Sequence, residues 1–329
     1  MHVSKRTFLA MSTATILSPL MTSMAAAQQK PVVIYTAHIS SIVDRMLPIF
    51  EKETGLKAEV VKLGGGDLIK RIQAESGKPS ADVIWSAAGD QLTGIAKILE
   101  PYKPADFDKI NPEFVASDAW TPYTGVTHVL IVNTKLVKSG QAPKNWAELS
   151  DPKWKGKVAS ARADNSGSAF QQMQIVLSKF GPEGWKKYTE VAKNFVFNDS
   201  SGAVPRFVAD GETALGLTLE DSALNYVNGG AAMEIHYLED GTAVTPDGVA
   251  LVKNGPNPQG GKKFLDWVMS KSTQETLVQI VGRRSLRVDV GPPKGATKLD
   301  DLKLVSVRSI EELGGSDLIM REWRKATGL

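Results

Sequence analysis

The sequence DNSGSAF at residues 164–170 lies between a short apolar run, KVAS at residues 157–160, and an amphipathic segment. The amphipathic segment has an apolar stripe at helical spacing, formed by Phe170, Met173, Leu177 and Phe180. This order predicts a strand, a polar turn and a helix, with Asn165 or Ser166 as the N-cap. The first turn of a helix presents unpaired N–H groups and a partial positive charge, and Gly167 leaves room for a ligand to approach them. The turn therefore suits an anion, although serine and glycine also begin many helices for capping alone.

The composition is that of an ordinary globular chain. It has 329 residues, of which 42% are hydrophobic and 23% charged, and this length predicts two domains. The net charge is only +3 and no lysine- or arginine-rich run is present, which argues against a nucleic-acid partner. There is no cysteine and there are only four histidines. Disulfides and thiolate metal sites are therefore excluded, and we predict neither a bound metal nor another cofactor.

The N-terminus has the three parts of an export signal. Lys5 and Arg6 form a positive region, residues 8–24 are uncharged and mostly apolar or small, and AAA at residues 25–27 fits the cleavage signature. We therefore expect residues 1–27 to be a removed signal peptide and the mature protein to be periplasmic. The sequence SKRTFL at residues 4–9 resembles a twin-arginine export signal with lysine in the first position. Both the Sec and the Tat route stay open.

Three apolar runs near the start of the mature chain each precede a small polar turn and an amphipathic segment. They are PVVIYT at residues 31–36, AEVV at 58–61 and DVIW at 82–85. A strand–turn–helix unit repeated three times predicts a parallel sheet with helices on its faces. Ligands bind at the carboxyl ends of the strands in such sheets. Here the predicted ligand contacts at those ends are Thr36, Ala37, His38, Gly65, Ser86 and Ala87.

Two longer apolar runs divide the rest of the chain. THVLIVN at residues 127–133 and GVALV at 248–252 predict strands that cross between two lobes. A second α/β series lies between them, with further candidate ligand contacts at its strand ends, namely Ser200, Ser201, Glu220 and Asp221. We therefore predict an α/β fold of two lobes, each a sheet flanked by helices, with the ligand cleft between them.

The predicted division of the chain follows from the two crossings. Lobe 1 takes residues 31–126 and 249–284, and lobe 2 takes residues 127–248 and 285–329.

Several short motifs are shared with one family of transport proteins. They are IYTA at residues 34–37, FEKETG at 50–55, ADV at 81–83, NWAEL at 145–149, WKGKV at 154–158, GVA at 248–250 and KFLDW at 263–267. With these motifs, from about residue 31 to residue 293, the chain resembles the extracellular solute-binding proteins of bacterial ABC importers, in the subgroup that binds ferric ion or phosphonate. The resemblance implies a type II periplasmic-binding-protein fold, capture of the solute by hinged closure, and delivery to the transmembrane permease subunits. It also implies anion contacts at a Ser-Gly-x turn, which here falls on Ser166, Gly167 and Ser168.

The expected ligand class depends on a missing pair of side chains. Iron-binding relatives hold Fe(III) with adjacent tyrosines after the strand that matches residues 214–218. Here that place reads LEDSA at residues 219–223, and Tyr226 stands alone. We therefore expect a small anionic solute, a phosphonate or phosphate ester such as an aminoalkylphosphonate or a sugar phosphate. Glu220 and Asp221 would accept hydrogen bonds from its ammonium or hydroxyl groups.

Two other functions of the same fold stay open. One is ferric-ion binding for iron uptake, and the other is a periplasmic ligand sensor that serves a signalling receptor. A secreted hydrolase is disfavoured, because NSGS at residues 165–168 lacks the first glycine of G-x-S-x-G and no histidine has a recognisable partner. We predict a monomeric binding protein and not an enzyme.

Several candidate residues have an equally good structural role. Asp221 can cap the following helix, and His38 can belong to the first turn of one. The other residues with two readings are Trp120 and Tyr123, which line the cleft or belong to the core, and Arg283, Arg284 and Arg287, which meet an anion or form a solvated hinge face. The triple glycine at residues 64–66 lacks the lysine of a phosphate-binding P-loop.

Overall fold

A computed structural model describes residues 30–38 and 40–329, apart from the side chain of Ser41, so the predicted signal peptide lies outside the described residues. The strands in these ranges are β1 (Val32–Thr36), β2 (Ala58–Lys62), β3 (Val83–Ala88), β4 (Leu99–Glu100), β5 (Thr121–Asn133), β6 (Val158–Ala161), β7 (Phe195–Asn198), β8 (Leu215–Leu219), β9 (Met233–His236), β10 (Val244–Val252) and β11 (Arg284–Ser285). The helices are α1 (Ser40–Thr54), α2 (Gly65–Ala74), α3 (Gly89–Gly94), α4 (Trp146–Leu149), α5 (Gly167–Phe180), α6 (Gly184–Ala192), α7 (Val204–Ala209), α8 (Glu220–Asn228), α9 (Pro258–Met269), α10 (Lys271–Val281) and α11 (Ser316–Thr327).

The long strand β5 is shared by two sheets. Its first part, Thr121–Thr127, pairs antiparallel with β10, and its second part, His128–Asn133, pairs antiparallel with β8 and β9. The strand order along the main path is β2-β1-β3-β10-β5-β8-β6-β7. We call the side with β1 to β4, β10 and β11 the first lobe, and the side with β6 to β9 the second lobe. The predicted α/β fold with helix-flanked sheets is confirmed.

Each sheet is covered by apolar side chains on both faces, as buried parallel strands require. In the first lobe, one core contains a group of edge-to-face aromatic contacts among Phe50, Trp85, Phe264 and Trp267. A separate core on the same sheet surrounds Leu92 and Trp120. The second lobe has one core around α5, α6 and α11 and another around α7 and α8. Continuous apolar runs such as that of β1 are therefore strands buried within a lobe.

Two strands begin earlier than the apolar pattern indicates. β5 begins at Thr121, six residues before the predicted start. The sequence pattern hides this part of the strand, because TPYTGVT mixes buried threonines with a proline and a glycine, which usually mark turns. Pro122 is tolerated since it lies opposite a register shift of β10 between Asp247 and Gly248. Gly248 has to lack a Cβ, because one would lie 2.7 Å from Cε3 of Trp120.

The second predicted crossing strand begins earlier than the apolar run at residues 248–252 indicates. β10 begins at Val244 and pairs only with β3, β4 and β5 in the described ranges, so it is a central strand of the first lobe. The crossing is made by residues 237–243, between the end of β9 and the start of β10. Polar and small residues in EDGT at 239–242 make a loop more favourable there than a strand.

Two helices of the first lobe connect its early strands. α2 begins at Gly65, inside the triple glycine. α3 ends at Gly94, and a single turn at Ala96–Ile98 leads into β4. No helix in residues 30–38 and 40–329 is both long and apolar enough to cross a membrane.

The C-terminal segment contacts both lobes in turn. β11 pairs with Thr124 and Gly125 of β5, and Arg287 donates to Asp106 and to the carbonyl of Met269, all on the first-lobe side. α11 then packs against α6 of the second lobe. Residues 285–287 therefore contact the first lobe, although the sequence analysis predicts that residues 285–329 belong to lobe 2. The exact residue boundaries of the lobes stay a prediction.

Candidate functional site

The start of α5 forms a small hydroxyl cluster that we call the serine turn, comprising Ser166, Gly167, Ser168 and Ser201. Ser166 is the N-cap, and its Oγ accepts from the main-chain N–H of Ala169 at 3.3 Å. The Oγ of Ser168 lies 3.1 Å from that of Ser166 and 2.5 Å from that of Ser201. The predicted contacts Ser166, Ser168 and Ser201 therefore come from two separate loops and meet at one helix N-terminus.

The backbone of this turn is open. An added Cβ at Gly167 would meet nothing within 4 Å. In the described part of the chain, the main-chain N–H groups of Gly167 and Ser168 have no acceptor, as expected for the first turn of a helix. The nearby guanidinium of Arg162 is paired with Asp164, with Nη2 2.7 Å from Oδ2. Because Arg162 is already paired, the positive character that this turn offers is that of the helix N-terminus.

Ser200 and Gly65 are less closely connected to this cluster. Ser200 is exposed, and its Oγ accepts from the N–H of Gly202 at 3.2 Å. Gly65 lies in the first turn of α2, where an added Cβ would approach Oε1 of Gln91 at 3.4 Å. Ser200 and Gly65 remain predicted ligand contacts.

The predicted contacts of the first lobe are held together by main-chain and hydroxyl bonds. Thr36 Oγ1 donates to the carbonyl of Trp85 at 2.5 Å, and the N–H of Ala37 donates to the carbonyl of Ser86 at 3.3 Å. Ala87 is buried and pairs with Gly248 of β10. Ser86 has a φ of +71°, in the left-handed region that few residues other than glycine adopt. Such backbone conformations persist where the surrounding structure holds them, often at functional sites.

His38 and Tyr123 form a buried, uncharged pair. The Nε2 of His38 is hydrogen-bonded to the hydroxyl of Tyr123. Burial, and then the charge of Arg283, hold the pKa of His38 well below its ordinary value. Burial and the charge of Asp247 raise the pKa of Tyr123. His38 therefore precedes α1 as a neutral side chain, and Tyr123 and Trp120 both belong to the core.

Five charged residues at the junction of the lobes form what we call the acid–arginine cluster: Glu220, Asp221, Asp247, Arg283 and Arg284. Arg284 holds Glu220 with two bonds, Nη2 to Oε1 at 2.6 Å and Nε to Oε2 at 3.1 Å. Arg283 lies 2.9 Å from Oδ2 of Asp221 and 3.9 Å from Oδ2 of Asp247.

This cluster corrects two sequence-based interpretations. Arg283, Arg284 and Arg287 do not form a solvated hinge face, because all three are buried and paired with carboxylates. Glu220 is 2% exposed, and besides Arg284 it accepts from the hydroxyl of Tyr237. Glu220 therefore has a structural partner for each oxygen and is not a free acceptor, while Asp221, the second residue of α8, is paired with Arg283.

Sequence reasoning missed Asp247. Its Oδ2 accepts from Oγ of Ser86 at 2.6 Å, so it connects a predicted ligand contact to Arg283. Asp247 lies in TPDGV, just before the apolar run that signals β10, where an acidic residue reads as part of a turn. The adjacent acids and adjacent arginines were visible in the sequence, but Asp221 and Arg283 are 62 positions apart and nothing in the sequence indicated that they meet.

The side chains that usually bind metal ions do not come together at one point in the described residues. In the described ranges, no three His, Cys, Asp or Glu side chains lie where they could hold one metal ion.

Comparisons with known proteins agree with this architecture. The fold is similar to that of the periplasmic binding protein AfuA from Actinobacillus pleuropneumoniae with fructose-6-phosphate bound, with a TM-score of 0.78 and 24% identity over 91% of this chain and 99% of that chain. Among sequence relatives, iron uptake protein A1 of Synechocystis is 26% identical over 317 residues, covering 84% of this chain and 85% of its own. A putative 2-aminoethylphosphonate-binding periplasmic protein of Salmonella typhimurium is 25% identical over 280 residues, covering 79% and 78%.

Two sheets joined through a shared strand, with polar strand ends at their junction, define a type II periplasmic binding protein. The profile of the bacterial extracellular solute-binding proteins matches residues 33–275, and the chain belongs to that family. Members of the family are the solute-binding components that deliver ligands to ABC permeases.

Proposed function

We propose that this protein captures a small anionic solute, a phosphonate or a phosphate ester, between its two lobes and passes it to an ABC importer. The observation that carries the proposal is the serine turn, where a helix N-terminus presents two free N–H groups beside three hydroxyls. An anion at such a position needs no arginine, because the helix dipole and the unpaired N–H groups both favour negative charge.

The relatives support the same chemistry without identifying one solute. One relative is named for 2-aminoethylphosphonate and one solved structure holds fructose-6-phosphate, and both ligands carry a phosphorus oxyanion. The turn has the donors that such a group requires, and its hydroxyls are close enough together to contact adjacent oxygens of one group.

Ferric-ion binding is the second candidate, and the iron uptake relative supports it to a similar extent. Fe(III) requires several hard oxygen donors, typically carboxylate or phenolate groups. Glu220 and Asp221, which follow β8, are both paired with arginines, and Tyr226 is a half-buried residue of α8 that packs against the second-lobe core. A binding experiment has to include both classes of ligand.

The test is a calorimetric and thermal-shift panel on the mature protein with 2-aminoethylphosphonate, fructose 6-phosphate, inorganic phosphate and ferric citrate. A solute at one hundred times its Kd stabilises the folded state by about 2.7 kcal/mol. Ser168→Ala is expected to weaken binding of the stabilising oxyanion about tenfold or more, because a hydrogen bond to a charged group contributes about 1.5–3 kcal/mol.

The matched control is Ser139→Ala, which removes the hydroxyl of an exposed serine that makes no side-chain hydrogen bond in the described part of the chain. It should leave the affinity unchanged. Stabilisation by ferric citrate alone, or an unchanged affinity in Ser168→Ala, would contradict the proposal.

A further inference from the structure

Two consecutive ion pairs connect the lobes. They join the first two residues of α8, Glu220 and Asp221, to the adjacent residues Arg284 and Arg283, which follow α10. α8 packs against β8, β9 and α7 in the second lobe, whereas α10 packs against α9 and contributes to the core of the first lobe. Both pairs therefore cross the junction between the lobes.

The inner pair, Glu220 with Arg284, lies beside the shared strand. Arg284 pairs with Gly125 of β5, and both side chains of the ion pair are only 3% exposed. Arg284 also donates to the carbonyl of Thr297 at 2.8 Å. Since β5 runs without interruption through both lobes, groups beside it move least when the lobes rotate, and the inner pair can persist as a pivot.

The outer pair has a different geometry. Arg283 lies 2.9 Å from Asp221 of the second lobe and 3.9 Å from Asp247 of the first. The preceding Gly282 has a φ of +74° and lies against α8, with an added Cβ 3.9 Å from the carbonyl oxygen of Asp221. This close approach directs Arg283 towards the start of α8. One guanidinium thus serves two carboxylates, one in each lobe.

The outer pair is also connected to both halves of the proposed ligand site. On the first-lobe side, Asp247 accepts from Ser86, whose carbonyl receives the N–H of Ala37. On the second-lobe side, Thr218 lies three residues before Asp221 and donates to the carbonyl of Ser201 in the serine turn at 2.9 Å. A change in the distance between Asp221 and Asp247 therefore changes the distance between the two sets of predicted ligand contacts.

We propose that Arg283 is a positioning residue that holds the closed arrangement of the lobes by bridging Asp221 and Asp247. When the lobes separate, Asp221 leaves with α8 and the guanidinium retains only Asp247. Separating Arg283 from Asp221 loses the attraction of an ion pair whose side chains are only 11% and 14% exposed, so Arg283 lowers the free energy of the closed arrangement relative to the open one. The role in solute capture rests on the proposed function, whereas the effect on lobe closure does not.

The chain has no cysteine, which allows a direct distance measurement. Lys70→Cys on α2 and Lys186→Cys on α6 place one spin label on each lobe, at side chains that are 80% and 68% exposed. Pulsed electron–electron double resonance then gives the populations of closed and open arrangements, without added solute and with saturating 2-aminoethylphosphonate or fructose 6-phosphate.

In this background, Arg283→Gln is expected to lower the ratio of closed to open populations at least tenfold under one or both conditions. Arg283→Lys should restore part of it, because a single ammonium can reach one of the two carboxylates. The control is Arg287→Gln, whose ion pairs with Asp106 and Asp289 do not join the lobes. It should keep the wild-type distances.

An unchanged distance distribution in Arg283→Gln under all conditions, or an equal shift in Arg287→Gln, would overturn the proposal. Asp221→Asn tests the same contact from the second lobe without removing the arginine, and it should shift the distribution in the same direction. If no phosphonate or phosphate ester binds, the measurement without solute still tests Arg283, so the two proposals fail separately.

Discussion

The serine turn and the acid–arginine cluster are built in opposite ways. In the serine turn, neutral groups bond weakly to one another and leave N–H groups unused. In the acid–arginine cluster, charged groups are buried and bound to partners from distant parts of the chain. Under the proposed function, the groups that meet the solute are the uncharged ones, and under the proposed role of Arg283 the charges hold the two lobes in register.

The largest expected effect on stability comes from breaking the inner ion pair, Glu220 with Arg284. Glu220→Ala should lower the free energy of unfolding by about 3–5 kcal/mol, because it leaves the guanidinium of Arg284 buried without its counter-charge. Urea denaturation of the mature protein measures this loss. The double variant Glu220→Met with Arg284→Met should recover most of it, since an apolar pair of similar volume has no buried charge.

A surface pair provides the comparison for that result. Glu51→Ala breaks the pair with Lys57, whose side chain is 77% exposed, and should cost less than about 1 kcal/mol. If Glu220→Ala were as mild as Glu51→Ala, the cluster would not be structural and the contrast with the serine turn would fail.

An effect of similar size on stability is expected when the pH is lowered, because His128 on β5 is buried. Burial lowers the pKa of His128 to about 4. In the unfolded chain, where its pKa is near 6.5, it takes up a proton first as the pH falls, so the folded state loses stability between about pH 6.5 and pH 4. The loss is of the order of 3 kcal/mol.

His128→Gln should remove this dependence, because glutamine does not titrate and keeps polar groups at the site. Unfolding free energies of the variant and the wild type are compared at pH 7, 5.5 and 4.5. Other titrating groups are common to both proteins, so the difference in slope reports His128. Parallel curves would show that His128 does not titrate in this range.

The smallest effect separates capping from ligand binding within the serine turn. Ser166→Ala should destabilise the protein by about 1 kcal/mol, because it removes the N-cap acceptor for Ala169. Ser168→Ala should stay within about 0.5 kcal/mol of the wild type, since its hydroxyl accepts no main-chain N–H in the described residues. Thermal and urea unfolding without solute measure both. Equal losses would mean that the whole turn is a structural cap.

Local patterns predicted a large part of the molecule. The apolar runs located β1, β2, β3 and β6 to within a few residues, and the sequence around Ser166 placed both the cap and the start of α5. These features depend on neighbours a few positions apart, where periodicity and capping chemistry act. The serine turn could be proposed for the same reason, apart from Ser201, which a separate loop contributes.

The remaining features depend on partners far apart in the chain. The start of β5 was hidden because its buried threonines, Pro122 and Gly125 are acceptable only opposite β10. Glu220 looked like a free acceptor because its partner lies 64 residues away, and Asp247 looked like a turn residue because Ser86 lies 161 residues away. No periodicity of a single segment encodes such pairings.

The position of β10 also has a consequence for how the chain acquires its structure. This strand lies between β3 and β5, so the first lobe lacks its middle strand until residues 244–252 are in place. β3 and β5 cannot pair with β10 until more than one hundred intervening residues have been added, and contacts of such long range slow folding. The topology thus delays completion of the first lobe until most of the second lobe has been synthesised.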